Sequence, residues 1–406
     1  MKHITSELKT FIDKNCKDPY NEIAKTFRFT SSQSSILQNI HELIRNAHIE
    51  WHNNQSVISE IENLPKGELY NDIPGNFIRI IERTLSQQKT FQMNIGGRNI
   101  FVSFFADAHK SHSAKKWTEY LKKIYIWLTV ISQFASTACV KTLYVYIYLT
   151  HEKKMLPSDP DTALGRTHAN TAFTTSCTSN TEIHLYREEE WFKVFIHETF
   201  HSYGLDFSTM ENGPANEKIN QIFGITGDVK LYESYTEIWA ELIHICFLVH
   251  FQMVNSPKWE NVDNFVSKVR DILIYEITFS LLQCAKVLKH SGLSYEDITT
   301  GSNQKVASLY REETPLFSYY IVKSILLFFA NDFAEWTMIH NRGSFNFQKT
   351  QQNVNAYIRF IQQQSIHPKY TKTMKMVEEC LNNSEQNSVF KNEAGLNSMR
   401  MTLHED

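Results

Sequence analysis

Residues 191–205, WFKVFIHETFHSYGL, constrain the fold more than any other stretch of the chain. His197, Glu198 and His201 stand within a run that is otherwise mostly aromatic and aliphatic. On a helix, residues four apart lie one turn along the same face, so the two imidazoles can hold one metal ion while Glu198 flanks it. Two histidines do not complete such a site. A zinc centre that keeps one position open for water uses three protein ligands, and the third must come from elsewhere.

The best source is 231–244, LYESYTEIWAELIH, where Glu233, Glu237 and Glu241 recur every four residues on one helical face. Ile238, Trp239, Leu242 and Ile245 form an apolar opposite face. The helix continues into the apolar CFLVHF. A row of three carboxylates there is costly to bury unless something positive neutralises it. The upstream helix supplies imidazoles and lacks a ligand, and the downstream helix supplies carboxylates and lacks a counter-ion.

Composition narrows the class. At 406 residues, with 42% hydrophobic and 21% charged residues, the chain reads as a folded globular protein with room for two or three domains. The net charge of -3 hides no long basic block, which argues against nucleic acid as a partner. The first twenty residues lack the apolar segment of a secretory signal. No run approaches the roughly 18 apolar residues of a membrane span. The six cysteines show no C-x-x-C spacing. Cys139, Cys246 and Cys284 stand in apolar surroundings and read as buried free thiols, as in a reducing compartment. The expectation is an intracellular, cytoplasmic protein without membrane insertion. The oligomeric state is not legible.

Periodicity predicts the elements. Residues 4–14, 20–27 and 35–53 are helical, with His41, His48 and His52 on polar faces. Two alternating runs around Gly96 and Gly97, KTFQMNIGGRNIFVSFF, predict a hairpin. A long amphipathic helix follows over 114–138, then a strand over 142–150, a loop over 153–180 and an edge strand over 181–187. Glu188, Glu189 and Glu190 then favour the start of the His197 helix through its dipole. Beyond Gly204 the chain is helical over 232–249, 262–288, 315–336 and 354–364. The expected class is α+β, a small mixed sheet packed on helices with largely helical N- and C-terminal lobes. The expected divisions are a lobe over 1–85, a metal-binding domain over 86–250, a second lobe over 251–382 and a flexible polar tail over 383–406.

HETFH, followed 36 residues after His201 by Glu237 in TEIWAE, resembles the gluzincin clan of zinc metallopeptidases. Within it the pattern is most similar to the anthrax lethal factor type of catalytic domain, and the order of elements is similar to the zincin catalytic subdomain. The resemblance covers residues 182–249. The Asn, Lys and Ile usage is also similar to that of proteins of large DNA viruses. The resemblance implies one Zn2+ ion held by His197, His201 and Glu237, with Glu198 as general base and Glu241 orienting a histidine. Glu233 could replace Glu237, because the same four-residue spacing serves either register. HETFHSYG also matches the start of the metzincin motif, but its third ligand place is held by Phe207. Asp206, one residue earlier, is a further alternative ligand. Gly204 reads more simply as the helix cap.

These residues imply a zinc-dependent peptidase, with Glu198 moving a proton from water to the leaving amine. Tyr232, Tyr235, Tyr319 and Tyr320 are candidate donors to the oxyanion. The partner would be a peptide or protein substrate, pairing with the edge strand by strand addition. His184 on that strand reads as structural or exposed. The alternative is a binding or structural protein, virion-associated if viral, on a zincin fold in which zinc is structural or absent.

Overall fold

The computed structural model describes residues 2–54, 58–109, 114–256, 261–386 and 394–405. The protein is mixed α+β, about 60% helical, with one six-stranded mixed sheet. It divides into two units that do not follow the consecutive blocks expected from sequence. A sheet unit comprises Gln38–Lys153 and Asn170–Thr209. A helical unit comprises Met1–Leu37, Lys154–Ala169 and Met210–Asp406.

In the sheet unit the strands are β1 (Ser59–Ile61), β2 (Gln87–Ile95), β3 (Arg98–Ala106), β4 (Thr142–Tyr148), β5 (Ala172–Thr174) and β6 (Asn180–Leu185). Their order is β1-β2-β3-β4-β6-β5. The β2–β3 hairpin turns at Gly96 and Gly97 with φ of 57° and 76°, a conformation only glycine adopts without strain at both positions. β3, β4 and β6 are parallel neighbours, and the helix Ala114–Ser132 supplies the crossover that a parallel β3–β4 pair requires.

The period of two along β4 separates the sheet's faces. Tyr146 and Tyr148 join Tyr70, Phe77, Ile81 and Tyr186 in one aromatic cluster. Opposite it, Phe104 of β3 meets Trp117 and Tyr120 of the crossover helix, at centroid distances of 4.9 and 6.1 Å. On that side the crossover helix packs on the helix Trp191–Ser202, with Tyr120 against Trp191 at 4.4 Å.

Several expectations are corrected here. The 181–187 run is not an edge, because β5, inside the expected loop, pairs antiparallel with Ile183, His184 and Leu185. Of the two readings of His184, structural or exposed, the first holds: it is fully buried, stacked on Tyr146 and Phe173, and its Nε2 lies 2.9 Å from Glu182. His41 and His48 are buried rather than solvated, where Trp51 and Glu50 of the same helix contact Tyr125. Burial also lowers the pKa of His48 to about 4, helped by Lys122 and His52. Glu188, Glu189 and Glu190 are buried as well, with Glu188 accepting from Lys116 at 2.7 Å and from Tyr120 at 3.3 Å. Cys139, expected as a free thiol, forms a disulfide with Cys177, and Cys16 pairs with Cys380. Cys246 and Cys284 remain buried thiols. The cysteine argument for a reducing compartment is thereby removed.

In the helical unit, the helices Tyr232–Met253 and Val262–His290 are buried along most of their length. Of the expected tail over 383–406, residues 387–393 lie outside the described residues, and 394–405 pack into this unit instead of extending as a flexible tail. Met399, Met401 and Leu403 are buried. Gln283 and Lys286 donate to the Ser398 carbonyl, Tyr320 donates to that of Met399 at 2.6 Å, and Glu276 accepts the backbone N–H groups of Leu403 and His404. These bonds go to the backbone of the segment and come from side chains of the helices around it. Among the described residues no helix is long and apolar enough to cross a membrane.

Candidate metal centre

Every residue of the helix Trp191–Ser202 is buried. Its orientation is set from the side facing the crossover helix. Thr199 Oγ1 accepts from Trp127 Nε1 at 2.6 Å and donates to the Ile196 carbonyl at 2.7 Å, while Phe200 stacks on Trp127. The histidines lie on another face. His197 and His201 approach Nε2 to Nε2 at 3.1 Å, with their rings nearly perpendicular at 79°. Two nitrogens each about 2.0–2.1 Å from one tetrahedral ion lie roughly 3.3 Å apart. The pair therefore has the spacing of two ligands of one ion, and the donor chemistry fits zinc.

The second ring nitrogen of His201 decides what the first can do. Nδ1 donates to Oδ2 of Asp206, which is fully buried. Asp206 Oδ1 accepts from the backbone N–H of Ser208 at 2.8 Å and from its hydroxyl at 2.6 Å. Burial pushes the Asp206 carboxyl up, but the adjacent His201 and the hydrogen bonds from His201 and Ser208 outweigh it and hold the group below its ordinary range. An ionised Asp206 keeps the proton of His201 on Nδ1 and leaves the Nε2 lone pair for a metal. This corrects the reading of Asp206 as a third ligand, since it meets the ring at the wrong nitrogen.

The turn that returns Asp206 to the ring depends on Gly204, whose φ is +67°. Its N–H donates to the His201 carbonyl at 3.0 Å, and that of Leu205 to Phe200 at 2.9 Å. A Cβ here would lie 3.2 Å from Cys139 Sγ and from Cys177 Cβ. Gly204 is thus the expected helix cap, and the Cys139–Cys177 disulfide lies directly against it. Glu198, in the same helix, is 7% exposed, with Ser202 Oγ donating to its carbonyl at 3.1 Å.

The carboxylate row lies in the helical unit, on the helix Tyr232–Met253. Glu233 is 9%, Glu237 2% and Glu241 0% exposed. Lys323 provides the positive charge that the sequence pattern demanded. Its Nζ lies 2.7 Å from Glu241 Oε2 and 3.4 Å from Glu237 Oε2. Burial disfavours the ammonium, but Glu241 and Glu237 outweigh burial and raise its pKa. Glu241 also accepts from the Thr402 hydroxyl at 2.7 Å. Its two oxygens are thus engaged within the helical unit, whereas the orienting carboxylate of a histidine is Asp206.

Two of the four tyrosines are withdrawn as oxyanion donors. Tyr235 Oη donates to the Phe345 carbonyl and accepts from Asn341 Nδ2, each at 2.9 Å, and Tyr320 Oη is committed to the Met399 carbonyl. Tyr319 is buried and Tyr232 partly so; both remain candidates. Sequence reasoning missed Lys323 and the orienting role of Asp206. The available signals were a lone charge in PLFSYYIVKSILLFFA, residues 315–330, and an Asp just past the glycine cap. Compared with known proteins, the chain matches no family model, no curated sequence and no solved structure.

Proposed function

We propose that the protein is a zinc-dependent metallopeptidase with a zincin-like catalytic region, in which His197, His201 and Glu233 hold the metal and Glu198 is the general base. The observation that carries this reading is the His197–His201 Nε2 pair with Asp206 fixing the tautomer of His201. Among the described residues, His197, His201 and Glu233 form a group that could hold a metal ion. Two imidazoles and one carboxylate suit zinc and leave a position for water. Glu233, the alternative register of the sequence, stands in that group in the place given first to Glu237. The order of hairpin, crossover helix, parallel strand, short antiparallel strand, second parallel strand and histidine helix supports the zincin-like reading.

A bound zinc ion supplies Lewis acidity, acidifying a water and polarising the scissile carbonyl. Glu198 takes a proton from water on its carboxylate and hands it to the departing amine nitrogen. Asp206 holds the His201 proton on Nδ1 throughout. The hydroxyl of Tyr232 or Tyr319 donates to the developing oxyanion. An extended peptide adds to the outer edge of β5, the place assigned to 181–187 from sequence.

Elemental analysis of purified protein tests the reading. One equivalent of zinc is expected in wild type and in Glu198→Gln, and none in His201→Ala. Peptide-library cleavage is expected from wild type alone. Wild type without zinc refutes the proposal. Zinc without cleavage of any peptide, together with a protein side chain at the fourth position, favours the structural alternative.

A further inference from the structure

The Cys139–Cys177 disulfide lies within the sheet unit, as do His197, His201, Asp206 and Ser208. It is wedged against the turn that returns Asp206 to His201, where a Cβ on Gly204 would stand 3.2 Å from Cys139 Sγ and 3.4 Å from Cys177 Sγ. The backbone N–H of Cys177 donates to the His201 carbonyl at 3.1 Å. Next to it, the hydroxyl of Ser176 lies 3.1 Å from that of Ser208, which donates to Asp206 Oδ1 at 2.6 Å. Residues 176 and 177 thus reach both members of the His201–Asp206 pair. The backbone on either side of the disulfide is strained. Val140 and Cys177 have φ of 54° and 45°, a left-handed conformation disfavoured for residues with a Cβ and most of all for a β-branched one. Such a conformation persists where its surroundings over-determine it, and the covalent link ties these two positions together.

We infer that this disulfide is a redox control on the histidine pair: oxidised, it clamps the Gly204 turn and keeps Asp206 on His201; reduced, it releases the turn and weakens metal binding. The inference rests on the metal site proposed above for its consequence and on the sheet unit alone for its mechanism. The reductant is a dithiol. Cys139 is 3% exposed, whereas Cys177 is half-buried and Ser176 beside it is exposed, so attack falls on Cys177 Sγ. One thiolate of the dithiol bonds to that sulfur and the S–S bond breaks, with Cys139 leaving as a thiolate that takes a proton. The second thiol of the reductant then displaces Cys177, which is protonated in turn. Two electrons pass to the protein, and the reductant ends as a disulfide. Two thiols cannot stay at bonding distance. Cys139 is enclosed, so residues 176–177 move and draw the Cys177 N–H away from the His201 carbonyl. Cys16 and Cys380 are both buried, and their disulfide offers a dithiol no comparable access.

The test has three arms, all on the full-length chain. Wild type is treated with dithiothreitol, and the thiols released are alkylated and located by mass spectrometry; Cys139–Cys177 is expected to open about tenfold or more faster than Cys16–Cys380. Amide hydrogen exchange of metal-free protein then compares wild type, C139S/C177S and C16S/C380S; serine avoids offering zinc new thiolate ligands. Exchange over 203–208 is expected to rise about tenfold or more in C139S/C177S and to stay unchanged in C16S/C380S. Zinc affinity, by competition with a chromophoric chelator, is expected to fall about tenfold or more in C139S/C177S alone. The inference is overturned if Cys16–Cys380 opens first, if exchange over 203–208 does not change, or if folded C139S/C177S binds zinc within about threefold of wild type. Should C139S/C177S not fold, exchange of dithiothreitol-reduced wild type decides. Wild type that binds no zinc defeats the proposed function and the metal consequence with it, and exchange over 203–208 then decides whether the disulfide governs the turn.

Discussion

Asp206→Asn probes the histidine pair through a group that is not itself a ligand. Asp206 presents Oδ2 to His201 Nδ1 and Oδ1 to two donors of Ser208. An asparagine has one acceptor oxygen and one NH2, so it must offer the NH2 to one side. The Ser208 backbone N–H is an obligate donor, which favours keeping the oxygen there. The NH2 then faces His201 Nδ1 and requires that nitrogen to accept, moving the ring proton to Nε2. That proton occupies the lone pair a metal needs. Loss of an outer partner of a histidine ligand costs 10–100-fold in metal affinity, about 1.4–2.8 kcal/mol. The wrong tautomer places Asp206→Asn at or beyond the upper end. Asp206→Ala removes the acceptor without imposing a tautomer. It should weaken zinc binding less than Asp206→Asn while destabilising the metal-free protein more, by about 1–3 kcal/mol for a buried donor left unpaired. Chelator competition gives the affinities, and urea unfolding of metal-free protein gives the stabilities. If folded Asp206→Asn binds zinc within about threefold of wild type, Asp206 does not govern the His201 tautomer and the reasoning fails.

Two further outcomes follow from other parts of the molecule. The Cys139–Cys177 disulfide spans 38 residues, so Cys139→Ala/Cys177→Ala should lower unfolding stability by about 4 kcal/mol on the chain-entropy account; a loss below about 1 kcal/mol in urea titrations would show that the reduced chain is already restrained there. Lys286 is buried in the helical unit, and burial pushes its pKa down to about 7 from 10.5. The unfolded chain therefore binds more protons than the folded one between these values, so wild-type stability should rise from pH 7 to pH 10. Lys286→Met should flatten that rise in unfolding curves across the range, and an unchanged slope would assign the pH dependence to other groups.

The parts legible in sequence are those decided by neighbours along the chain. A period of two around Gly96 and Gly97 specifies the hairpin, because the turn itself requires positive φ at both positions. A period near 3.6 specifies the crossover helix and the helices carrying His197 and Glu233, and four-residue spacing is enough to put His197 and His201 side by side. What only tertiary structure decided are matters of which residue meets which. The parallel pairing of Thr142 with Asn180 brings the chain ends before β4 and β6 together, and so joins two cysteines that sequence spacing left apart. Lys323 meets Glu237 and Glu241 from a remote segment and supplies the positive charge that the carboxylate row needs when buried. The C-terminal residues read as a solvated tail because polarity alone signals water. They are buried because Lys286, Gln283, Tyr320 and Glu276 supply the partners that water would otherwise be. Periodicity is a local property and can be read from the string, whereas neutralising a buried charge or satisfying a buried amide depends on a partner that only the folded chain brings near.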